Sequence, residues 1–209
     1  LYFKESDILE KVSTIEKTVK VDEKILDFFQ TRKKLINKIK RNKINLYLNK
    51  EFKKNNLINY DKVIIATYSN NNNILSSLGI KKISTNKYQL VEKILIKLPK
   101  EYERKSYVVI DGNFVCVDPY LGTSYHLLSD VKLSKLETLI SKYPNFYSFK
   151  KRYLNKGLIK NIKVSRFRTF ISNSSKYLPF LKKAKYIGSM FVVRALKINK
   201  ENTDERVTS

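Results

Sequence analysis

Tyr107-Val108-Val109-Ile110-Asp111-Gly112-Asn113-Phe114-Val115-Cys116-Val117 is the stretch that decides the fold. Two runs rich in β-branched and aromatic residues flank Asp111-Gly112. A type I′ turn needs positive φ at both central positions, and Asp-Gly meets that need, so the stretch is predicted to be a β-hairpin. On its N-terminal side, Tyr88, Leu90, Ile94, Ile96 and Leu98 share one phase, while Gln89, Lys93 and Lys97 take the other. Alternation over that length predicts a half-exposed antiparallel strand. On its C-terminal side, Pro119 and Gly122 bracket a turn, and residues 124–131 supply a further strand. Residues 86–131 are therefore expected to form an antiparallel meander.

Further out the periodicity changes. Residues 18–21 alternate weakly, as a short strand would. Asp22 is a candidate N-cap for a helix carrying Ile25, Phe28, Phe29, Leu35, Ile36 and Ile39 at roughly helical spacing. Residues 44–48 alternate as a strand. In Tyr60-Asp61-Lys62-Val63-Ile64-Ile65-Ala66-Thr67 the continuous apolar run predicts a strand buried on both faces, the kind found in a helix-covered parallel sheet. Residues 133–141 and 146–153 carry apolar side chains at three- and four-residue spacing and read as helices. Tyr177-Leu178-Pro179-Phe180-Leu181 is expected to start a short helix, with Pro179 in its first turn. Residues 186–196 are again β-rich, and 199–209 form a polar tail.

The 209 residues can bury one good core, or one domain and part of another. No run of about 18 apolar residues is present for a membrane-crossing helix. The opening Leu1-Tyr2-Phe3-Lys4-Glu5 is neither a signal peptide nor an initiator Met, so a longer protein is expected. A single cysteine, Cys116, excludes an internal disulfide and fits a reducing compartment; a cytoplasmic location is expected. The net charge of +24 invites a nucleic-acid reading. Two features argue against a specific one. Of the 43 basic residues only 8 are Arg, the side chain that forks onto phosphates and base edges. Lys, Asn (19) and Ile (21) are abundant together, as A+T-rich codons would make them.

Motifs that carry chemistry are scarce. There is no G-x-G-x-x-G, P-loop, H-E-x-x-H or G-x-S-x-G. With one histidine and one cysteine, no metal site is expected. His126 lies on the third strand of the meander, in phase with Leu128. Cys116 reads as a small packing residue, and Glu92 interrupts an otherwise apolar face.

Three segments carry a resemblance. The run Asp61-Lys62-Val63-Ile64-Ile65-Ala66-Thr67 resembles the strand of FAD-dependent oxidoreductases of the D-amino-acid-oxidase type that ends close to the dinucleotide. Val109-Ile110-Asp111-Gly112-Asn113-Phe114-Val115-Cys116-Val117-Asp118-Pro119-Tyr120, with His126-Leu127-Leu128-Ser129-Asp130-Val131, is similar to a segment of that family's substrate domain. Gly188-Ser189-Met190-Phe191-Val192-Val193-Arg194, followed by Glu201-Asn202-Thr203-Asp204-Glu205-Arg206-Val207-Thr208, resembles the stretch before its closing strand. The three occur in the family's order. Tyr68 departs from the pattern, standing where the family usually has Gly.

The resemblance implies an α/β to α+β fold: a partial FAD-binding domain interrupted by an antiparallel meander with helices. Its expected parts are 1–80 (FAD-binding), 81–160 (substrate) and 161–209 (return to the FAD-binding domain). It implies oxidation of a C–N or C–OH bond in a small substrate, by hydride transfer to a flavin. Ala66, Thr67 and Tyr68 are the expected FAD contacts, and His126 and Arg194 the expected pocket residues, His126 on the sheet face turned to the flavin and away from helices at 133–153. The Gly-rich turn that would hold the pyrophosphate is absent, so these residues alone should bind FAD poorly. No specific nucleic acid and no membrane is expected as partner. The alternatives are a basic nucleic-acid-binding domain without catalysis and a non-catalytic flavoprotein remnant. If the lysines are a solvated surface, the protein should bind duplex DNA only weakly and without sequence preference, and filter binding should show that affinity collapsing with salt as counterions compete.

Overall fold

A computed structural model describes residues 4–5, 15–110 and 114–198. In chain order the elements are β1 (Lys4–Glu5), β2 (Val19–Lys20), α1 (Phe28–Arg41), α2 (Asn71–Ser77), β3 (Asn86–Lys97), β4 (Tyr107–Val109), β5 (Val115–Tyr120), β6 (Tyr125–Asp130), β7 (Lys135–Ser141), β8 (Ile159–Lys160), α3 (Phe167–Ser174) and β9 (Lys185–Leu196). Short 3-10 turns lie at Lys54–Asn59, Tyr68–Asn70, Lys100–Tyr102, Phe149–Tyr153 and Pro179–Lys183. β1 pairs with β2, and the other seven strands form one sheet in the order β4-β5-β6-β3-β9-β8, with β7 also on β3. This is a mixed α/β chain built on an antiparallel sheet. No helix among the described residues is long and apolar enough to cross a membrane.

The meander is present, in a modified order. β4, β5 and β6 follow one another, with Tyr107 opposite Val117 and Val117 opposite Leu128. β3 comes first in the chain yet lies beside β6, with Ile94 opposite Leu128 and Ile96 opposite His126. The Asp111-Gly112 turn lies outside the described residues. Pro119 does not bracket a turn: β5 continues through it to Tyr120, beyond the last residue that β4 opposes. A proline there removes no ladder bond to β4. The turn follows at Gly122, whose φ of +83° suits a residue without Cβ. β3 is not half-exposed. Gln89 and Glu92 are buried beside the apolar phase, because β3 is covered on both faces.

Several expected elements are corrected. The helix starts at Phe28, capped by Asp27 rather than Asp22: the Asp27 carboxylate accepts the Gln30 N–H at 2.9 Å. Residues 133–141 are not helical. β7 pairs with β3, Asn86 opposite Ser141 through Leu90 opposite Glu137, so strand pairing overrides the helical spacing of Leu133, Leu136, Leu139 and Ile140. Residues 146–153 contain only a 3-10 turn. Neither 44–48 nor 60–67 forms a strand. Ile64 is 91% exposed, and no described strand pairs with 63–66; a strand buried on both faces needs neighbours on both edges. The parallel-sheet part of the expected FAD-binding domain is therefore not seen among the described residues. Helix α3 had no counterpart in the sequence reading. The short strand at 18–21, the turn of helix at Pro179 and the strand at 186–196 are all present.

The chain divides into two compact units, and their boundaries fall elsewhere than 80/81 and 160/161. One holds 1–45, 93–134 and 158–190; the other holds 46–92, 135–157 and 191–209. In the first, register puts Ile94, Ile96, Tyr107, Val115, Val117 and Leu128 on one sheet face, against Phe170 of α3 and Leu178, Phe180 and Leu181. The covering helix is thus α3, not a helix at 133–153. In the second, Tyr88 and Leu90 of β3 pack with Phe146 and Ala195. Within the first unit β8 lies so close to β9 that a Cβ on Gly188 would sit 2.5 Å from the Ile159 carbonyl oxygen and 2.9 Å from Leu158 Cδ1. Gly188→Ala should therefore push β8 off β9 and cost roughly 1–3 kcal/mol, read as a lower urea midpoint. An unchanged midpoint would mean the two strands separate freely.

Candidate functional site

Residues 66–70 form a turn rather than the end of a strand. Asn71 closes it: its Oδ1 accepts from the Thr67 N–H at 2.8 Å and from the Thr67 hydroxyl at 2.9 Å. Tyr68 follows with φ +54°, the left-handed conformation that glycine adopts without strain. Its side chain reaches the second core of the same unit. The Tyr68 hydroxyl accepts from the Ala195 N–H at 3.0 Å and donates to the Ala195 carbonyl at 3.3 Å. One hydroxyl thus satisfies both backbone groups of a β9 residue, as a neighbouring strand would.

This turn does not form an FAD cradle by itself. A pyrophosphate is held by free backbone N–H groups at a Gly-rich helix start. Here the Thr67 N–H is already committed to Asn71, and Ala66, Thr67 and Tyr68 are followed by the seven-residue α2 without a glycine.

His126 is not on an open face. Its phase on β6 is that of Leu128 and Asp130, the core side, and it is 1% exposed. Ile96 and Pro119 oppose it on the flanking strands. Neither ring nitrogen has a hydrogen-bond partner of good geometry, although the backbone of Lys105 and Tyr102 lies near enough to favour the charged ring. Burial is the larger effect and holds the imidazole below its ordinary pKa; the Glu103 and Asp118 carboxylates pull weakly the other way. This placement counts against a pocket role for His126. Its opposed partners explain it: alternation fixes the face, and that face is core.

Arg194 is half-buried on β9, between Val193 and Ala195, in the second unit, whereas His126 belongs to the first. Cys116 is a free thiol whose pKa is raised, first by burial, then by Asp118, against a lowering influence from Lys93. A thiol held protonated is a poor nucleophile. No group of three metal-ligating side chains occurs among the described residues.

No motif in the sequence singles out Asp130. This buried carboxylate accepts from the Lys132 and Leu133 N–H groups at 2.9 and 2.8 Å and from Asn173 Nδ2 at 2.7 Å. It joins the β6 turn to α3, and its fully engaged oxygens mark it as structural. The second unit carries a shallow depression of ≈ 390 Å³ lined by Pro144, Asn145, Phe146, Tyr147, Lys151 and Leu154.

Tyr68→Phe deletes both bonds to Ala195 while keeping the ring. It should cost about 1–3 kcal/mol and speed hydrogen exchange at the Ala195 amide. Unchanged exchange at that amide would show that the hydroxyl does not hold β9.

Neither a protein-family model, nor a curated protein, nor a solved structure matches this chain.

Proposed function

We propose that the chain supplies the substrate-side sheet of an FAD-dependent oxidoreductase acting on a C–N or C–OH bond of a small substrate. In this reading the FAD is gripped by a Gly-rich segment that the 209 residues do not contain. The observation that carries it is the Tyr68 turn. At the position where the resembled family has Gly, the backbone has φ +54°, a glycine-like path. The same residue bonds to Ala195, which directly follows the third matched segment, Gly188–Arg194 in sequence, 127 positions away. Tyr68 and Ala195, the residues that directly follow the first and third matched stretches, therefore meet within one compact unit, in keeping with a chain that leaves a cofactor domain and returns to it. The antiparallel sheet holding the middle segment supports the same reading.

Because the Thr67 amide is occupied and no Gly-rich turn is present, the 209-residue protein should pass through gel filtration colourless after incubation with FAD. Expressed together with the coding sequence immediately upstream of Leu1, it should carry the absorbance of bound flavin. A colourless extended protein, or an upstream sequence with no Gly-rich turn after a β-rich run, would leave the non-catalytic remnant as the better reading. Stoichiometric FAD on the 209 residues alone would overturn the account of where the cofactor is held.

A further inference from the structure

We propose that His126 is a proton-operated latch beneath the segment 98–109, closed at neutral pH and released by acid. This inference is independent of the flavin reading. It starts from what covers the ring. After β3 the chain makes the 3-10 turn Lys100–Tyr102, then a turn in which Arg104 takes φ +60°, and then enters β4. The backbone of Tyr102 and Lys105 lies near the imidazole, Ser106 is tied to Asp118 beside it, and Ile96 and Pro119 flank it in the sheet. Nothing among the described residues gives either ring nitrogen a well-formed hydrogen bond.

The cover has few polar ties, although Leu98 and Tyr107 anchor it in the core. Its internal bond from the Lys105 N–H to the Tyr102 carbonyl is long, at 3.4 Å. Ser106 Oγ donates to Asp118 Oδ1 of β5. The Tyr102 ring stacks on Phe180 at 4.3 Å, and the Tyr107 ring meets Phe180 at 4.8 Å. β4 is three residues long and, among the described residues, lies at the sheet edge and pairs only with β5. Arg104 adds backbone strain, since a left-handed conformation brings the Cβ of a non-glycine residue too close to its own backbone. Short edge elements with few ladder bonds open first.

Protonation loads this cover. A charged imidazolium gains little where it stands, because water is excluded, and charge without solvent is costly. The charged groups near it are Glu103 on the cover and Asp118 on β5; both favour the proton, but burial outweighs them. The other ionisable side chains of the cover are Lys100, Glu101, Tyr102, Arg104, Lys105 and Tyr107; burial raises Tyr107, so it stays neutral at these pH values. Opening 98–109 returns the ring to water, where its pKa is ordinary. The open form then binds more protons than the closed form, so closure is fully stable above about pH 6.5 and weakens as pH falls through that value. The loss levels off once the closed form also takes the proton.

His126 is the one histidine of the sequence, so its imidazole proton resonances need no assignment. An NMR titration should give a pKa below 6.5. Amide exchange corrected for intrinsic rate should rise for residues 98–109 by about tenfold per pH unit below about 6.5, while the β3 and β6 amides at 94–96 and 126–128 stay protected. His126→Phe keeps a ring of similar size without a titrating group, and should abolish the pH dependence at 98–109. A pKa at or above 6.5 would overturn the proposal whether or not that variant folds. Acid-induced exchange that rises equally across the sheet, or that persists in His126→Phe, would overturn it as well, assigning the effect to global unfolding or to the carboxylates.

Discussion

Strand β3 is buried on both faces, and the requirement to cover them fixes what surrounds it. Its residues 94–96 pair with β6 and its residues 86–91 with β7. In one unit Ile94 and Ile96 need a lid of apolar side chains, which α3 and the 3-10 turn at Pro179–Lys183 provide. In the other, Tyr88 and Leu90 are sealed by Phe146 and Ala195. Each fully buried Leu or Ile contributes about 1.5–3 kcal/mol, so two separate clusters seeded on one strand outweigh the polar groups caught with them. Those groups are real costs. Gln89 Oε1 is buried without a hydrogen bond, as is the Tyr107 hydroxyl.

The sheet was legible where periodicity was long and unambiguous. Twelve residues of β3, and β5 and β6 on either side of the Gly122 turn, alternate clearly enough to specify strands. What alternation could not reveal was whether Gln89, Glu92 and Lys93 would face solvent, since that depends on layers contributed from elsewhere in the chain. β7 was misread for a related reason. Leu133, Leu136, Leu139 and Ile140 satisfy a helical spacing, and only the presence of β3 as a pairing partner decides for a strand. Residues 63–66 fail in the opposite sense. A short apolar run is a strand only if something pairs with it, and no described residue does.

The site residues divide in the same way. The phase shared by His126 and Leu128 was visible in the sequence, but which phase faced the core was not. Once Ile96 and Pro119 oppose His126, the ring must enter the apolar side. Asp130 shares that phase and survives burial for the reason His126 remains strained: its two oxygens collect three hydrogen-bond donors, whereas the imidazole nitrogens find none of good geometry. Three positions on one face thus hold an aliphatic, a satisfied anion and an unsatisfied base. Periodicity treats them alike, and only local donors and acceptors separate them.

Tyr68 shows how a departure from an expected glycine can be read. Glycine is used in such turns because it reaches positive φ without a Cβ clash. Tyr68 reaches φ +54° as well, so the backbone path is glycine-like and the change lies in the side chain. The strain of a left-handed non-glycine residue, on the order of 1–2 kcal/mol, requires compensation. The hydroxyl provides it by bonding to both the N–H and the carbonyl of Ala195. Two hydrogen bonds at about 0.5–1.5 kcal/mol each are of the size needed to offset the strain. Glycine would relax the turn but lose both bonds to Ala195, and an aromatic without a hydroxyl would keep the strain and lose the bonds. The tyrosine therefore ties the 66–70 turn onto β9.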